Sequence, residues 1–83
     1  MPWVSAWEPA QILAAKETRL VTACGADGSV DLSRWFYTYK FSGEFEHAVF
    51  RGTVQKGDCE KNFRFRIERA GGDWYAVESS FVP

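Results

Sequence analysis

The spacing of apolar residues changes once along this chain, and this change constrains the fold more than any other feature. Apolar residues recur with a helical period before the turn-forming residues 26–29, and apolar and polar residues then alternate with a period of two to the end. The strands are joined by short connections that contain glycine, which is typical of antiparallel pairing. The sequence therefore predicts an α+β domain with an antiparallel sheet.

The predicted helix covers about residues 6–24. Ser5 and Glu8 have the spacing of a capping box, and Gly25 provides a left-handed stop after the last turn. Four strands are expected at about residues 30–41, 45–55, 62–69 and 74–82. The stripe of the helix that faces the core is expected to contain Ile12, Leu13, Leu20, Ala23 and Cys24.

A connection at residues 42–45 sets the pairing of the first two strands. It predicts that one face is aromatic or apolar throughout, with Trp35 opposite Gly52 so that a large ring covers the bare glycine. The predicted pairs on this face are Phe41 with Glu46, Tyr39 with Ala48, Tyr37 with Phe50, Trp35 with Gly52, and Ser33 with Val54.

The third strand is predicted to point Phe63, Phe65 and Ile67 toward the core. The inward face of the fourth strand stays open at this point, because one residue more or less in the preceding turn reverses it. The two alternatives are an inward Trp74 and Ala76, or an inward Tyr75, Val77 and Phe81.

One helix packed on a four-stranded antiparallel meander sheet resembles the cystatin-like fold, in which a meander wraps one helix. The resemblance lies in the order of the elements, and it implies a single two-layer domain over residues 1–83. No sequence motif of a cystatin-like family is present, so the resemblance carries over no functional residues.

The two cysteines are predicted to meet at one end of the fold. Cys24 lies at the end of the helix and Cys59 in the turn between the second and third strands. A disulfide there would stabilise the domain by about 4 kcal/mol in the chain-entropy model. It would also indicate a periplasmic or secreted protein. The alternative is a pair of reduced thiols in a cytoplasmic protein.

The sequence offers little for catalysis. His47 is the only histidine, and its place on the outer face of the second strand favours a solvated side chain. Ser79 and Ser80 lack the glycine-flanked elbow of a serine nucleophile. No ligand spacing indicates a metal, and the Gly71–Gly72 turn lacks the context of a phosphate loop. We therefore expect no enzyme, no cofactor and no metal.

Two groups of residues are candidate binding sites. Basic residues share the predicted outer face of the sheet, which suits an acidic protein partner, and tryptophans near the N-terminus are either packed or interface anchors. A net charge of −1 and missing base-stacking motifs weigh against nucleic acid. The candidate binding residues are Arg34, Phe36, Lys40, Arg51, Arg64, Arg66, Trp3 and Trp7.

The sequence thus favours a non-enzymatic binding or inhibitory domain that acts by protein–protein contact. Inhibitors, immunity proteins, phage antagonists and bacterial envelope assembly factors are domains of this kind. The outermost strands also offer an edge for weak dimer formation, and no segment is long and apolar enough to span a membrane. The alternative is a small-molecule-binding or catalytic domain with a pocket between helix and sheet.

Overall fold

The computed structural model of the chain describes the backbone of residues 2–25 and 28–82, and the side chains of residues 6–25, 28–33 and 38–82. Two helices precede an antiparallel sheet in which strand order follows the chain. The elements are α1 (Pro2–Ala15), α2 (Thr18–Val21), β1 (Ser29–Ser42), β2 (Phe45–Lys56), β3 (Cys59–Arg69) and β4 (Tyr75–Val82). The predicted α+β class and antiparallel sheet are confirmed. Neither helix has the length and apolar character needed to cross a bilayer.

The helical region differs from the single helix predicted over residues 6–24. It begins at Pro2, so Ser5 and Glu8 lie inside α1 and do not form a capping box at its start. It is also interrupted after Ala15, and α2 starts with Glu17 as its N-cap, whose carboxylate accepts from the backbone N–H of Arg19. Capping by Glu17 therefore starts a second, short helix where the sequence pattern predicted continuity.

Small residues form the buried stripe of α1. Ala6, Ala10 and Ala14 are almost completely buried at intervals of four residues, whereas Ile12 is 50% exposed. The prediction that Ile12 faces the core is therefore wrong. The rings of the sheet fill the core, and small alanine side chains let the α1 backbone lie close to them. Leu20 of α2 is fully buried, as predicted.

An irregularity in β1 reverses which residues face the core. Phe50 and Gly52 are consecutive inward positions of β2, and their backbone partners in β1 are Tyr37 and Leu32, so residues 33–36 of β1 lie opposite the single residue 51 of β2. β1 therefore has three residues more than β2 in this stretch. Because three is an odd number, the even-numbered Val30 and Leu32 lie on the same face of the sheet as the odd-numbered Tyr39. Val30, Leu32 and Tyr39 all pack against the core.

The predicted pairs of Phe41, Tyr39 and Tyr37 are therefore confirmed, and the two pairs beyond them are wrong. Leu32 replaces Trp35 opposite Gly52, and Val30 replaces Ser33 opposite Val54. The alternation of apolar and polar residues could not reveal the extra residues, because a pairing derived from the sequence assumes a constant register.

An aromatic ring does cover Gly52, but it belongs to β3. Phe63 is the cross-strand partner of Gly52, and a Cβ atom added to Gly52 would lie 2.5 Å from Cζ of Phe63. The same Cβ would collide with the backbone carbonyl of Asp31 in β1. Gly52 therefore admits close contact from both neighbouring strands, and only glycine fits.

The inward face of β3 is as predicted, with Phe63, Phe65 and Ile67 fully buried. In β4 neither of the two alternatives holds along the whole strand. Ser79 lies opposite Phe65, whereas Ala76 lies opposite Ile67, so Val77 is an extra residue and the facing positions change parity there. Trp74, just before β4, is 8% exposed and belongs to the core.

The predicted disulfide is present. Cys24 follows α2 and Cys59 opens β3, and their Cα atoms are 5.6 Å apart within the bond. The bond ties the helical region to the end of the sheet where the β2–β3 connection lies.

Replacing Gly52 with alanine should destabilise the domain by about 2 kcal/mol, because the added methyl overpacks against Phe63 and the β1 backbone. Urea denaturation followed by circular dichroism measures the change. Gly72→Ala is the matched control, since its Cβ meets nothing within 4 Å. Equal effects of the two substitutions would contradict the close packing at Gly52.

Peptide mapping without reductant should find Cys24 and Cys59 linked. The double substitution Cys24→Ser and Cys59→Ser should lower the free energy of unfolding by about 4 kcal/mol, since the unfolded chain regains loop freedom. Dithiothreitol should destabilise the wild-type protein and leave the double variant unchanged. Two free thiols in the purified, unreduced protein would contradict the bond.

Candidate functional site

The side of the sheet away from the helices carries four of the eight predicted binding residues. Arg51 lies directly opposite Arg64 on β2 and β3, and Val49 lies opposite Arg66 in the next row. Lys40 of β1 lies opposite His47. We call this surface the outer face; it comprises Thr38, Lys40, His47, Val49, Arg51, Arg64, Arg66, Glu68, Glu78 and Ser80.

The other candidates lie elsewhere or outside the described side chains. Trp7 is partly buried, and its ring centroid lies 5.7 Å from that of Phe50, so it packs on the core. The side chains of Trp3, Arg34 and Phe36 are outside the described part of the chain. The outer face thus brings together Lys40, Arg51, Arg64 and Arg66 of the predicted set.

Charge on the outer face is unevenly compensated. Arg66 donates to Glu68, with 2.9 Å between Nη2 and Oε2, and Glu78 lies opposite Arg66 on β4. Arg51 and Arg64 are exposed, and neither forms an ion pair within the described residues. Like charges directly opposite on a sheet are destabilising, so this arginine pair costs the fold free energy.

A shallow depression of about 160 Å³ lies beside the arginine pair. Arg64, Arg66 and Val49 form part of its lining, together with Glu78 and Ser80 of β4. It offers guanidinium donors next to an apolar side chain. An acidic side chain or carboxylate from a partner could accept hydrogen bonds here.

A second set of charged residues lies at the opposite side of the sheet, near the β3–β4 connection. Glu46 accepts from the Tyr39 hydroxyl through Oε1 and from Nε of Arg69 through Oε2. The Arg69 guanidinium lies 4.8 Å from the ring centroid of Trp74, in cation–π contact. These four residues, Tyr39, Glu46, Arg69 and Trp74, form what we call the Glu46 cluster.

Hydrogen bonds within the Glu46 cluster shift the pKa values of its members. The hydrogen bond from Arg69, followed by that from Tyr39, lowers the pKa of Glu46. The same contact with Glu46 raises the pKa of Tyr39 and that of Arg69. Glu46 and Arg69 therefore remain ionised at neutral pH, and Tyr39 stays a neutral donor.

A groove runs between α1 and the β3–β4 connection, beside the Glu46 cluster. From α1 it is lined by Glu8, Pro9, Ile12 and Leu13, and from the connection by Arg69, Asp73 and Trp74. Its volume is about 530 Å³, within the range of small-ligand pockets. We call this the α1 groove.

Sequence reasoning raised a pocket between helix and sheet as an alternative but did not identify the residues of the α1 groove, because it placed Ile12 in the core. The repeat of Glu8 with Ile12 and of Pro9 with Leu13, each four residues apart, is the signal that these side chains share one helix face. Only the burial of the alanine stripe shows that Ile12 of this face lies outside the core.

Within the described residues, no group of three or more His, Cys, Asp or Glu side chains could hold a metal ion. Comparison of the chain with protein-family models, with curated proteins and with solved structures found no match. Any function must therefore be argued from the outer face and the α1 groove themselves.

The Glu46 cluster should make stability pH-dependent. Because the folded pKa of Glu46 is lowered, its contribution is present above the ordinary value of 4.5 and is lost as pH falls through the folded pKa. Urea midpoints measured from about pH 7 to about pH 3 should therefore fall less steeply in Glu46→Gln than in wild type. Glu44→Gln, at an exposed turn position, should keep the wild-type slope.

Tyr39 should make the free energy of unfolding depend on pH in the alkaline range as well. Its raised pKa means that its contribution is present below its ordinary value of 10.0 and is lost as pH rises through the folded pKa. Tyr39→Phe should flatten this alkaline limb, and it should reduce the acid limb in part, because the Tyr39 hydrogen bond also helps to lower the pKa of Glu46. Wild-type slopes in both limbs of both variants would show that the cluster does not form in solution.

Proposed function

We propose that this protein is a non-enzymatic binding domain, of the inhibitory or assembly type, whose outer face docks on an acidic surface of another protein. The observation that carries the proposal is the opposed pair Arg51 and Arg64, exposed and without an acidic partner in the described residues. A partner carboxylate could bridge both guanidinium groups and remove their mutual repulsion.

The energetics support a binding role for this pair. Opposed like charges cost on the order of 0.2–1 kcal/mol, and a threonine at either position would suit an exposed strand better. A residue choice that lowers stability is expected where binding requires it. The neighbouring Arg66 already has Glu68 as a partner, whereas Arg51 and Arg64 have no ion-pair partner within the described residues.

The disulfide supports a proposal about the cellular compartment of the protein. A bond that stabilises so small a domain is maintained in an oxidising compartment, so we propose a periplasmic or secreted protein, as in the bacterial envelope, with the cytoplasm as the alternative if the thiols are reduced. We further propose the cystatin-like arrangement, a meander of four strands wrapped on α1, as the architecture.

The protein is proposed to be a monomer or a weak dimer through an edge strand. β4 is the better edge, because Tyr75, Val77 and Phe81 are each at least 40% exposed along it. β1 is interrupted by the irregular residues 33–36, which disfavours regular pairing with another strand.

A short polyglutamate peptide serves as the probe for an acidic surface, with binding measured by fluorescence anisotropy at low ionic strength. Arg51→Gln with Arg64→Gln should weaken binding about tenfold, equivalent to about 1.4 kcal/mol. The same double variant should be more stable than wild type by about 0.5 kcal/mol, because the opposed charges are gone. Weaker peptide binding together with higher stability would separate a binding role of the arginine pair from a structural role.

Lys16→Gln with Arg19→Gln is the matched control, since it removes the same charge from exposed positions in the helical region. It should leave peptide affinity nearly unchanged. Equal weakening by both double variants would show that only net charge matters and would overturn the proposal. Tighter binding to duplex DNA than to the peptide would favour a nucleic-acid partner instead, and sedimentation checks that dimer formation through β4 does not mimic binding.

A further inference from the structure

We propose that the α1 groove is a second binding site, and that it takes a small hydrophobic amine: an apolar body that carries one positive charge. This site lies on the helix side of the sheet and does not depend on the proposed role of the outer face. Its residues Ile12, Trp74, Glu8 and Asp73 define the two parts of the ligand.

The apolar part of the ligand is specified by the walls of the groove. Ile12 is 50% exposed, which is costly for a side chain of this size, and it lines the groove with Pro9 and Leu13. Trp74 lines the other side and is held in place by burial and by the Arg69 guanidinium stacked on its ring. A ligand that covers Ile12 removes its exposed apolar surface from water and contacts the small exposed part of Trp74.

The charge of the ligand is specified by the acidic side chains of the groove that have no ion-pair partner within the described residues. Arg69 is the cation of the lining, but its charge is already engaged by Glu46. Glu8 and Asp73 are exposed acids of the same lining, and neither forms an ion pair within the described residues. The groove therefore carries excess negative charge around an apolar floor, which favours a cation and disfavours a carboxylate.

Trp74 shows that the groove is not built for stability alone. Its indole Nε1 is buried and has no hydrogen-bond partner among the described groups. A buried donor without a partner costs about 1–3 kcal/mol, which offsets part of the stability that burial of this ring contributes. The tryptophan at this position therefore lowers the stability of the fold through its unpaired N–H group, and its ring lines the groove. Such a combination is expected of a residue that serves binding.

The test compares two probes with the same apolar body and opposite charge, 4-phenylbutylamine and 4-phenylbutyrate. Each is titrated into the ¹⁵N-labelled wild-type protein at neutral pH, and the indole resonance of Trp74 is followed by NMR. The amine should bind with a Kd of about 1 mM, as expected for a fragment of this size, and about tenfold more tightly than the carboxylate. Added salt should reduce this preference, because it screens Glu8 and Asp73.

The variant Glu8→Gln with Asp73→Asn should abolish the preference for the amine and leave the apolar contacts in place. Asp58→Asn with Glu60→Gln is the matched control, since it makes the same chemical changes at exposed positions near the β2–β3 connection. It should keep the wild-type preference. Ile12→Ala should weaken both probes, because both use the apolar wall.

Three results would overturn the inference. The first is equal or tighter binding of 4-phenylbutyrate, which would show that the groove does not select for positive charge. The second is an unchanged preference in the Glu8→Gln and Asp73→Asn variant. The third is a set of shifted resonances that excludes Trp74 and α1, which would place the probe elsewhere on the protein.

Discussion

The parity of β1 is the constraint on which the rest of the structure depends. A strand side chain reaches the core only if its position matches the inward face, and β1 changes that match between Leu32 and Tyr37. With the change, Val30 and Leu32 at one end and Tyr39 at the other all cover the core. Gly52 lets the β1 backbone and the Phe63 ring approach at the point where the register shifts.

The close packing of α1 follows from how the sheet fills the core. Phe50, Phe63, Phe65 and Ile67 fill the inward face of the sheet, so α1 approaches them with its alanine stripe. Trp7 packs against Phe50 beside that stripe. Leu13 packs partly on the core, whereas Ile12 stays half exposed outside it. Ile12 is left on the wall of the α1 groove for this reason, and a core packed by rings thus produces a concave, partly apolar surface beside it.

The net charge of −1 conceals two surfaces of opposite character. The outer face carries the opposed Arg51 and Arg64 in excess of its acids, whereas the α1 groove carries Glu8 and Asp73 after Glu46 has compensated Arg69. Each surface retains a feature that lowers stability, an arginine pair on one and an unpartnered indole nitrogen on the other. Both features are expected where binding, not folding, sets the residue.

Local periodicity and the direction of the short connections were enough to predict the class of fold, the inward face of β3 and the proximity of Cys24 and Cys59. The disulfide itself, the register beyond Tyr37, the parity of β4, the division of the helical region and the exposure of Ile12 became known from the three-dimensional packing. The register, the parity and the exposure depend on extra residues in a strand and on how much volume the rings occupy. Neither quantity is written in the alternation of apolar and polar residues, since a shift by an odd number of residues reverses every side chain that follows it.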